Sequence, residues 1–238
     1  MKKYTIDQLA RMVDHTYVKA HATKEQMKKL CEEALEYHFA MTAINSGQTA
    51  FCKEILKGTD IHVGAAIAFP LGQMSIEAKV LETVDALKNG ADEIDYTINI
   101  TEVKDQNWAY VEEEMDQIVK VSHAGGAICK VILETSYLTK EEIVKICEIA
   151  KKVKIDFVKT STGFSNEGAT AENIALMKKT VGNEVHVKAS GGIRDAATFK
   201  EMVAHGAERI GTSAGVKIIA EFKEEMDEDG FIYIEEKY

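Results

Sequence analysis

Two lysines stand at matching places in the sequence and are suited to carbonyl chemistry. Lys159 ends the apolar run DFVK before TSTGF, and Lys188 ends VHVK before ASGGIRD. On neighbouring parallel strands, about 4.8 Å apart, two ammonium groups repel each other, and such repulsion lowers a lysine pKa. An unprotonated amine attacks a carbonyl carbon and forms a Schiff base. The pair therefore predicts a nucleophilic lysine; the alternative is that each lysine pairs with a carboxylate or reaches solvent.

Charged side chains in two earlier runs are candidates for proton transfer. Asp95 lies within ADEIDYTINI, where it suits general acid–base catalysis on a carbinolamine or a salt bridge to a lysine. Lys130, in CKVILET, is a further cation that we expect near the same site. Glu134 ends the strand predicted at 128–134 and is interpreted as a second acid or as a hydrogen-bond partner for a loop.

Two segments rich in small residues are suited to binding an anion. They are SGGIRD at 190–195 and GTSAG at 211–215. Small residues let backbone N–H groups and the start of a helix face a phosphate. The TSTGF segment after Lys159 could add donors, although a single Gly-Gly pair is more often just a turn.

Short apolar runs alternate along the chain with longer segments of 3.6-residue periodicity. The pattern predicts strands at 11–15, 40–45, 62–68, 93–99, 128–134, 156–159, 184–188 and 209–212. It predicts helices at 23–38, 47–56, 75–88, 107–122, 140–152, 170–180, 195–205 and 214–225. Eight strand–helix units favour an α/β protein with a (β/α)₈ TIM-barrel fold. An open doubly wound sheet is the alternative, but its typical glycine-rich dinucleotide turn is absent.

The chain is interpreted as a single domain spanning 1–238, because it has one proline and no linker-like tract. Residues 226–238 are acidic with alternating aromatics and form either a docked extension or a mobile lid. In a TIM barrel the chemistry takes place at the carboxyl ends of the strands, and the last two loops often bind phosphate. The barrel therefore places the two lysines and the small-residue segments at one end.

Composition argues against several classes of protein. The chain carries 29 basic and 39 acidic residues, a net charge of −10, which opposes general nucleic-acid binding. No apolar run approaches the ~18 residues of a membrane span. The N-terminus lacks the apolar core of a signal peptide. The four cysteines lack zinc-site spacing, so we expect no metal site and reduced thiols in a cytoplasmic protein.

These motifs resemble those of the deoxyribose-phosphate aldolases, a family of class I, Schiff-base-forming aldolases with a barrel fold. The resemblance covers nearly the whole chain. It is carried by VDHTYVKAHAT at 13–23, AFPLG at 68–72, GADEID at 90–95, KVILET, FVKTSTGF, VKASGGIRD and RIGTSAGV. The most specific part is the pair KTSTG and K-x-x-GG-x-R at this spacing.

The resemblance implies reversible cleavage of 2-deoxy-D-ribose 5-phosphate to D-glyceraldehyde 3-phosphate and acetaldehyde. It implies that Lys159 is the nucleophile, that Lys188 tunes it and assists proton transfer, and that Asp95 is the acid/base, acting through water. Lys130 is expected in a supporting role. Tyr238 resembles a terminal tyrosine that reaches into the site in some members. The phosphate loops of the family map onto Gly163, Ser190, Gly191, Gly192, Thr212 and Ser213.

The resemblance also implies that no metal or organic cofactor is needed, because the iminium ion is the electron sink. The expected partners are small phosphorylated sugars and aldehydes. A homodimer is the expected assembly, since two-fold dimers are the commonest soluble homo-oligomers.

Five positions depart from the usual pattern of the family: Ala43, Ser46, Ala68, Tyr96 and Thr97. Ala43 stands where a cysteine often stands, Ser46 replaces a proline and Ala68 replaces a frequent glycine. Tyr96 and Thr97 are expected to change the polarity of the pocket. The alternatives are an aldolase acting on another phosphorylated sugar, a phosphate-binding barrel isomerase or decarboxylase that forms no imine, and a non-catalytic binding protein.

Overall fold

Eight parallel strands close into a barrel in the computed structural model, which describes residues 1–238. In chain order the strands are β1 (Lys2–Tyr4), β2 (Val13–Tyr17), β3 (Met41–Asn45), β4 (His62–Ile67), β5 (Glu93–Thr97), β6 (Ile128–Ile132), β7 (Phe157–Lys159), β8 (His186–Ser190), β9 (Arg209–Thr212) and β10 (Ile232–Ile234). Each strand from β2 to β8 pairs with the next, and β9 pairs with β2, so the barrel has no free edge. The predicted TIM barrel is confirmed.

Helices surround the barrel and connect its strands. They are α1 (Ile6–Ala10), α2 (Lys24–Tyr37), α3 (Thr49–Ile55), α4 (Ile76–Lys88), α5 (Ile100–Lys104), α6 (Trp108–Ala124), α7 (Lys140–Val153), α8 (Ala171–Val181), α9 (Ala196–Ala204) and α10 (Gly215–Glu225). Short 3₁₀ turns occupy Ser46–Gln48 and Thr135–Tyr137. Helix α2 begins with a capping box, in which Thr23 and Gln26 each accept a backbone N–H of the other. None of the helices combines the length and apolar character needed to cross a membrane.

Side chains along each barrel strand alternate between the interior and the surrounding helices. On β5, Glu93 and Asp95 point into the barrel and contact lysines there, whereas Ile94 and Tyr96 belong to the apolar core. Lys130 on β6 also points inward. TIM-barrel interiors are usually filled by branched apolar side chains, so this interior is unusually rich in charge.

Several predicted strand boundaries differ from the structure for local reasons. The first barrel strand begins at Val13 rather than at residue 11, because Arg11 has a helical backbone and caps the end of α1, where its N–H donates to the Asp7 carbonyl. The fifth predicted strand, 128–134, ends at Ile132, since Glu134 adopts a left-handed backbone with φ of 54°. The elements α1, α5, β1 and β10 were not predicted.

The acidic tail is a docked extension in this structure. Strand β10 pairs antiparallel with β1, and Ile232 and Ile234 are buried. The Lys237 backbone N–H donates to the Ala204 carbonyl at 2.7 Å, which ties the tail to the end of α9. These contacts place the tail at the amino-terminal ends of the barrel strands, opposite the end where the predicted chemistry lies.

Candidate active site

One carboxylate, that of Asp95, holds three ammonium groups inside the barrel. The Nζ atoms of Lys159 and Lys188 each lie 2.7 Å from Asp95 Oδ2. Lys130 Nζ lies 2.8 Å from Asp95 Oδ1. Strand register explains the cluster, because Asp95 is opposite Lys130 across β5 and β6, and the other two lysines are opposite each other across β7 and β8. The structure therefore brings these four predicted residues together.

Only one of the three lysines reaches open space. The side chain of Lys159 is 9% exposed, whereas those of Lys130 and Lys188 are 0% exposed. Lys159 also lines two adjacent cavities at the carboxyl ends of the strands. A carbonyl compound that enters from solvent therefore meets the Lys159 amine first.

The surroundings set the protonation states of the cluster. Burial raises the pKa of Asp95, but the three lysines outweigh it and hold this pKa well below its usual value. Burial lowers the pKa of Lys130, but Asp95 and Glu93 outweigh it and raise this pKa above its usual value. For Lys159, burial lowers the pKa, Asp95 opposes this and Lys188 adds to it, with a result of about 8. An ionised carboxylate therefore lies beside an amine that is partly free near neutral pH.

The larger cavity has a volume of about 230 Å³ and connects Lys159 to the loops after β2, β7, β8 and β9. Its lining includes all six predicted phosphate-loop residues, Gly163, Ser190, Gly191, Gly192, Thr212 and Ser213. Gly191 needs to be glycine, because its φ is 86° and a Cβ would lie 2.9 Å from the Gly168 Cα. The backbones of the loop after β7, which contains Gly168, and the loop after β8, which contains Gly191, therefore lie close together.

Hydroxyl groups in these loops hold the backbone rather than point freely into the cavity. Ser190 Oγ donates to the Ser161 carbonyl at 2.5 Å, and Thr212 Oγ1 donates to the Ile193 carbonyl at 2.7 Å. Thr212 Oγ1 also accepts the Ala214 N–H at 2.9 Å, just before α10. The loops are thus fixed in shape before any ligand binds.

The Glu134 carboxylate fixes the loop that follows Lys159. It accepts the Thr162 N–H at 3.3 Å, the Thr162 hydroxyl, and the Ser165 hydroxyl at 2.8 Å. Glu134 is 2% exposed, so these contacts are shielded from water. Of the two interpretations made from the sequence, the geometry favours the hydrogen-bond partner for a loop.

A second, smaller cavity adjoins the same amine. It has a volume of about 20 Å³ and is lined by Asp95, Lys159 and small or apolar residues that include Ala43, Ala66 and Phe69. Phe69 packs edge to face on Phe164, with ring centroids 5.4 Å apart. A short apolar fragment bonded to the Lys159 amine would be enclosed here.

Comparison with known proteins shows the family of the chain. A family model described as DeoC/LacD family aldolase matches residues 8–221. The chain belongs to the DeoC/LacD aldolase family. Within this family, it is 58% identical over 227 residues to a deoxyribose-phosphate aldolase of Lactobacillus acidophilus, covering 95% of this chain and 96% of that protein. It is 50% identical over 214 residues to a deoxyribose-phosphate aldolase of Thermococcus kodakarensis, covering 89% of this chain and 96% of that protein.

Solved structures of the family share the whole barrel. A deoxyribose phosphate aldolase of Aeropyrum pernix, described as tetrameric, superposes with a TM-score of 0.86 at 30% identity, and the match covers 92% of each chain. The family and fold expected from the motifs are therefore confirmed.

The positions that depart from the family pattern fall into different environments. Ala43 lines the small cavity. Ser46 Oγ donates to Glu82 Oε1 at 2.8 Å, and Glu82 Oε2 accepts the Ala68 N–H at 2.8 Å. Ala68 has a φ of 51°, in the left-handed region that favours glycine.

The expected effect of Tyr96 and Thr97 on pocket polarity is not seen, since neither residue lines the two cavities. Asp95 faces the interior, so strand alternation turns Tyr96 outward, where its ring lies 5.8 Å from Lys79 Nζ. Burial raises the pKa of Tyr96 well above its usual value. The tyrosine belongs to the layer between barrel and helices.

Tyr238 does not lie with the lysine cluster. Its ring is 5.9 Å from Lys178 Nζ, and Lys178 pairs at 2.6 Å with Glu208, just before β9. The docking of β10 against β1 holds the tail at the opposite end of the barrel. The terminal tyrosine is 58% exposed and has no contact with the site.

Two cations at the larger cavity were not singled out from the sequence. Lys19 and Arg194 both line it. Lys19 follows β2 in VDHTYVKAHAT, and Arg194 lies in SGGIRD, so both belong to recognised motifs. Their position after a barrel strand was the available signal.

Proposed function

We propose that the chain is a class I aldolase, a lyase that reversibly cleaves 2-deoxy-D-ribose 5-phosphate to D-glyceraldehyde 3-phosphate and acetaldehyde. The observation that carries this proposal is the Lys159 amine. Its pKa is about 8, and it opens into a cavity whose wall includes the predicted phosphate loops. The relatives from Lactobacillus acidophilus and Thermococcus kodakarensis bear the name of this activity.

The reaction follows from an amine that lines both cavities. The Lys159 nitrogen attacks the C1 aldehyde of the open-chain sugar, and the carbinolamine loses water to form an iminium ion. Removal of the C3 hydroxyl proton breaks the C2–C3 bond, and the bonding electrons move to the iminium. Glyceraldehyde 3-phosphate leaves, and a two-carbon enamine remains on Lys159. Protonation at C2 and hydrolysis release acetaldehyde. The iminium is the electron sink, so the chemistry needs no metal or organic cofactor.

The neighbouring charges suit opposite proton-transfer roles. Asp95 is held ionised by its three lysines, which leaves it able to accept a proton, and we assign it that role, acting through water. Lys188 lies on the same carboxylate oxygen as Lys159 and supplies the complementary ammonium donor. Lys130 holds the other oxygen and supports the orientation of the carboxylate.

The larger cavity suits a phosphorylated substrate. Gly163, Gly191 and Gly192 adopt positive φ and bring backbone close to the cavity. Ser190, Thr212 and Ser213 complete the proposed phosphate site. Lys19 and Arg194 add two positive charges to a protein whose net charge is −10, and a doubly charged phosphate is drawn to such a local patch.

We further propose that the enzyme is a cytoplasmic homodimer built from one barrel domain per chain. Its four cysteines are free and buried, which fits a reducing compartment. Light scattering during size-exclusion chromatography would test the assembly. A dimer is expected, and a tetramer, as described for the Aeropyrum pernix relative, would overturn this part of the proposal.

The activity is tested by incubating the protein with 2-deoxyribose 5-phosphate and borohydride, followed by intact-mass analysis and peptide mapping. A reduced two-carbon adduct on Lys159 is expected, because only a Schiff base can be reduced onto the protein. The Lys159→Ala variant should give no adduct and no turnover while keeping the fold.

Three other results would each change the conclusion. An adduct with another phosphorylated sugar but not with this one would keep the mechanism and change the substrate. An adduct on Lys188 would move the nucleophile to that residue. No adduct with any carbonyl compound would overturn the imine mechanism and leave a phosphate-binding barrel.

A further inference from the structure

Six alternating charges inside the barrel form a closed ring beside Lys159. The first half of the ring starts at Asp95, whose Oδ1 lies 2.8 Å from Lys130 Nζ. Lys130 also forms an ion pair with Glu93, two residues before Asp95 on β5. Glu93 Oε1 lies 3.2 Å from Arg209 Nη2 on β9. This half therefore runs from the candidate active site towards the amino-terminal ends of the strands.

The second half returns to the same aspartate. Arg209 Nε donates to Asp14 Oδ1 at 2.8 Å. Asp14, on β2, forms an ion pair with Lys188. Lys188 Nζ lies 2.7 Å from Asp95 Oδ2, which closes the ring. Arg209 is the most exposed of the six, with 13% of its side chain accessible, and the others are 4% exposed or less.

The ring is electrically balanced without Lys159. Three carboxylates alternate with three cations, and every carboxylate contacts two of the cations. Lys159 contacts only Asp95, whose oxygens are already bound by Lys130 and Lys188. A proton on Lys159 is therefore a surplus positive charge in a buried and otherwise neutral network, which is unfavourable.

We propose that Glu93 and Arg209 are positioning residues that set the protonation state of Lys159 through this ring, and that they act with opposite signs. Neither residue lines either cavity, so neither touches the substrate. The proposal rests on the proposed function in one respect, namely that the Lys159 amine is the reacting group.

The sign for each residue follows from the charge that it contributes. Replacing Glu93 by glutamine leaves the ring with one net positive charge, which disfavours the Lys159 ammonium. Replacing Arg209 by glutamine leaves one net negative charge, which favours the ammonium. In each variant the local rearrangement shifts the Lys159 pKa in the same direction as the change in net charge. Without Glu93, Lys130 binds Asp95 more tightly, which leaves less of the carboxylate for Lys159. Without Arg209, Lys130 binds Asp95 less tightly, which leaves more of it.

Other groups face the ring and are controlled in the test. His62 Nδ1 on β4 lies 2.7 Å from Glu93 Oε1. Met41 Sδ on β3 lies 3.7 Å from Lys130 Nζ, and the Phe157 ring on β7 lies 5.9 Å from the Arg209 guanidinium. His62 is the titratable one of these three, so the titrations are repeated in a His62→Gln background.

The experiment measures the Lys159 pKa without any substrate. Trace acetylation by acetic anhydride is followed over pH, and peptide mapping reports the labelling rate of Lys159 against an exposed reference lysine. We expect Glu93→Gln to lower the apparent pKa by about one unit and Arg209→Gln to raise it by about one unit, on the scale of one charge at an effective dielectric constant of about 20. The matched control, Glu93→Gln/Arg209→Gln, removes one charge of each sign and should restore a value close to wild type.

The outcomes separate an electrostatic role from a structural one. Shifts of the same sign in both single variants, or a double variant that does not return towards wild type, would overturn the proposal. If a single variant does not fold, Asp14→Asn replaces Glu93→Gln and Lys130→Gln replaces Arg209→Gln, with the same expected signs. Opposite shifts of the Lys159 pKa in the two single variants, together with no turnover of 2-deoxyribose 5-phosphate by the wild-type protein, would support the ring and reject the proposed substrate. Turnover of this sugar by the wild-type protein, with the same Lys159 pKa in the variants as in wild type, would support the proposed substrate and reject the role of the ring.

Discussion

Lys159 differs from an ordinary surface lysine because burial, opposed by Asp95 and aided by Lys188, lowers its pKa from 10.5 to about 8. At pH 7 about one-tenth of such amines are free, against about 0.03% for an unshifted lysine. Since only the free amine attacks, imine formation should accelerate about tenfold from pH 6 to pH 7 and level off above about pH 9. Single-turnover borohydride trapping across this range measures the rate. A flat profile would contradict the lowered pKa.

Ala43 predicts resistance to excess aldehyde. It lines the small cavity beside Lys159 and has no nucleophilic atom. A thiol at this position would lie close to where aldehyde accumulates, and a thiolate is a strong nucleophile. We expect Ala43→Cys to lose activity in concentrated acetaldehyde several-fold faster than wild type. Ala43→Ser is the matched control, because its hydroxyl is similar in size but far less nucleophilic. Equal inactivation of all three proteins would contradict this.

Single residues were predictable where chemistry limits the residue type. Lysines at the ends of two successive apolar runs identified Lys159 and Lys188, and Asp95 stood out as a charge inside a strand. Asp14 and Arg209 were not singled out, because each is an ordinary charge next to an apolar run. Their role depends on closure of the barrel, which places β2 beside β9, and no local pattern specifies that pairing.

At the scale of elements, the loop after β7 depends on one buried carboxylate. Glu134→Gln removes the charge that accepts the Thr162 N–H, the Thr162 hydroxyl and the Ser165 hydroxyl. Hydrogen bonds to a charged group are worth about 1.5–3 kcal/mol each, so the loop should loosen. We expect KM for 2-deoxyribose 5-phosphate to rise about tenfold or more, with a smaller change in kcat, because the loop lines the larger cavity, which we propose binds the phosphate.

Steady-state kinetics with phosphorylated and unphosphorylated deoxyribose provide the comparison. The loss should be confined to the phosphorylated sugar. Thr162→Ser keeps the hydroxyl donor and is the control, with a KM expected close to wild type. An equal loss for both sugars would assign Glu134 to general stability rather than to the loop.

Element types were predictable from periodicity, and the ends of elements were less so. Apolar residues continue to Leu133, yet the strand stops at Ile132 because Glu134 turns into the left-handed region to reach the next loop. The short helices α1 and α5 span five residues each, which is too short for a helical period to be visible. At the end of β6, hydrogen bonds from the loop after β7 to Glu134 therefore decide where the strand stops.

For the whole molecule, the pairing of the two chain ends was the least predictable feature. The sequence left open a docked extension or a lid for residues 226–238. The structure pairs Lys3 with Tyr233, and residues so far apart in the chain leave no shared local pattern. Because that pairing holds Tyr238 at the far end of the barrel, the charges that surround the amine all come from barrel strands.

A buried ion pair joins two helices to the strand that carries Asp95. Lys79 on α4 donates to Glu114 Oε1 on α6 at 2.6 Å and to the Thr97 carbonyl at 2.8 Å. Glu114 Oε2 accepts the Asn99 N–H at 3.1 Å, and both charged side chains are 0% exposed. Burial raises the pKa of Glu114 and lowers that of Lys79. The pair therefore fixes the end of β5. Burial makes each charge unfavourable, and each is offset by its partner only while both are present.

Removing one partner should cost more than removing both. Lys79→Met leaves an unpaired buried carboxylate and should lower the free energy of unfolding by about 3–5 kcal/mol, whereas replacing a whole buried pair is often close to neutral. We expect Lys79→Met/Glu114→Gln to be more stable than the single variant in urea unfolding. The Glu114 pKa is raised in the folded state, so the deficit of Lys79→Met should shrink as pH falls. A double variant as unstable as the single one would show that the two hydrogen bonds to the β5 end, rather than the charges, hold the helices in place.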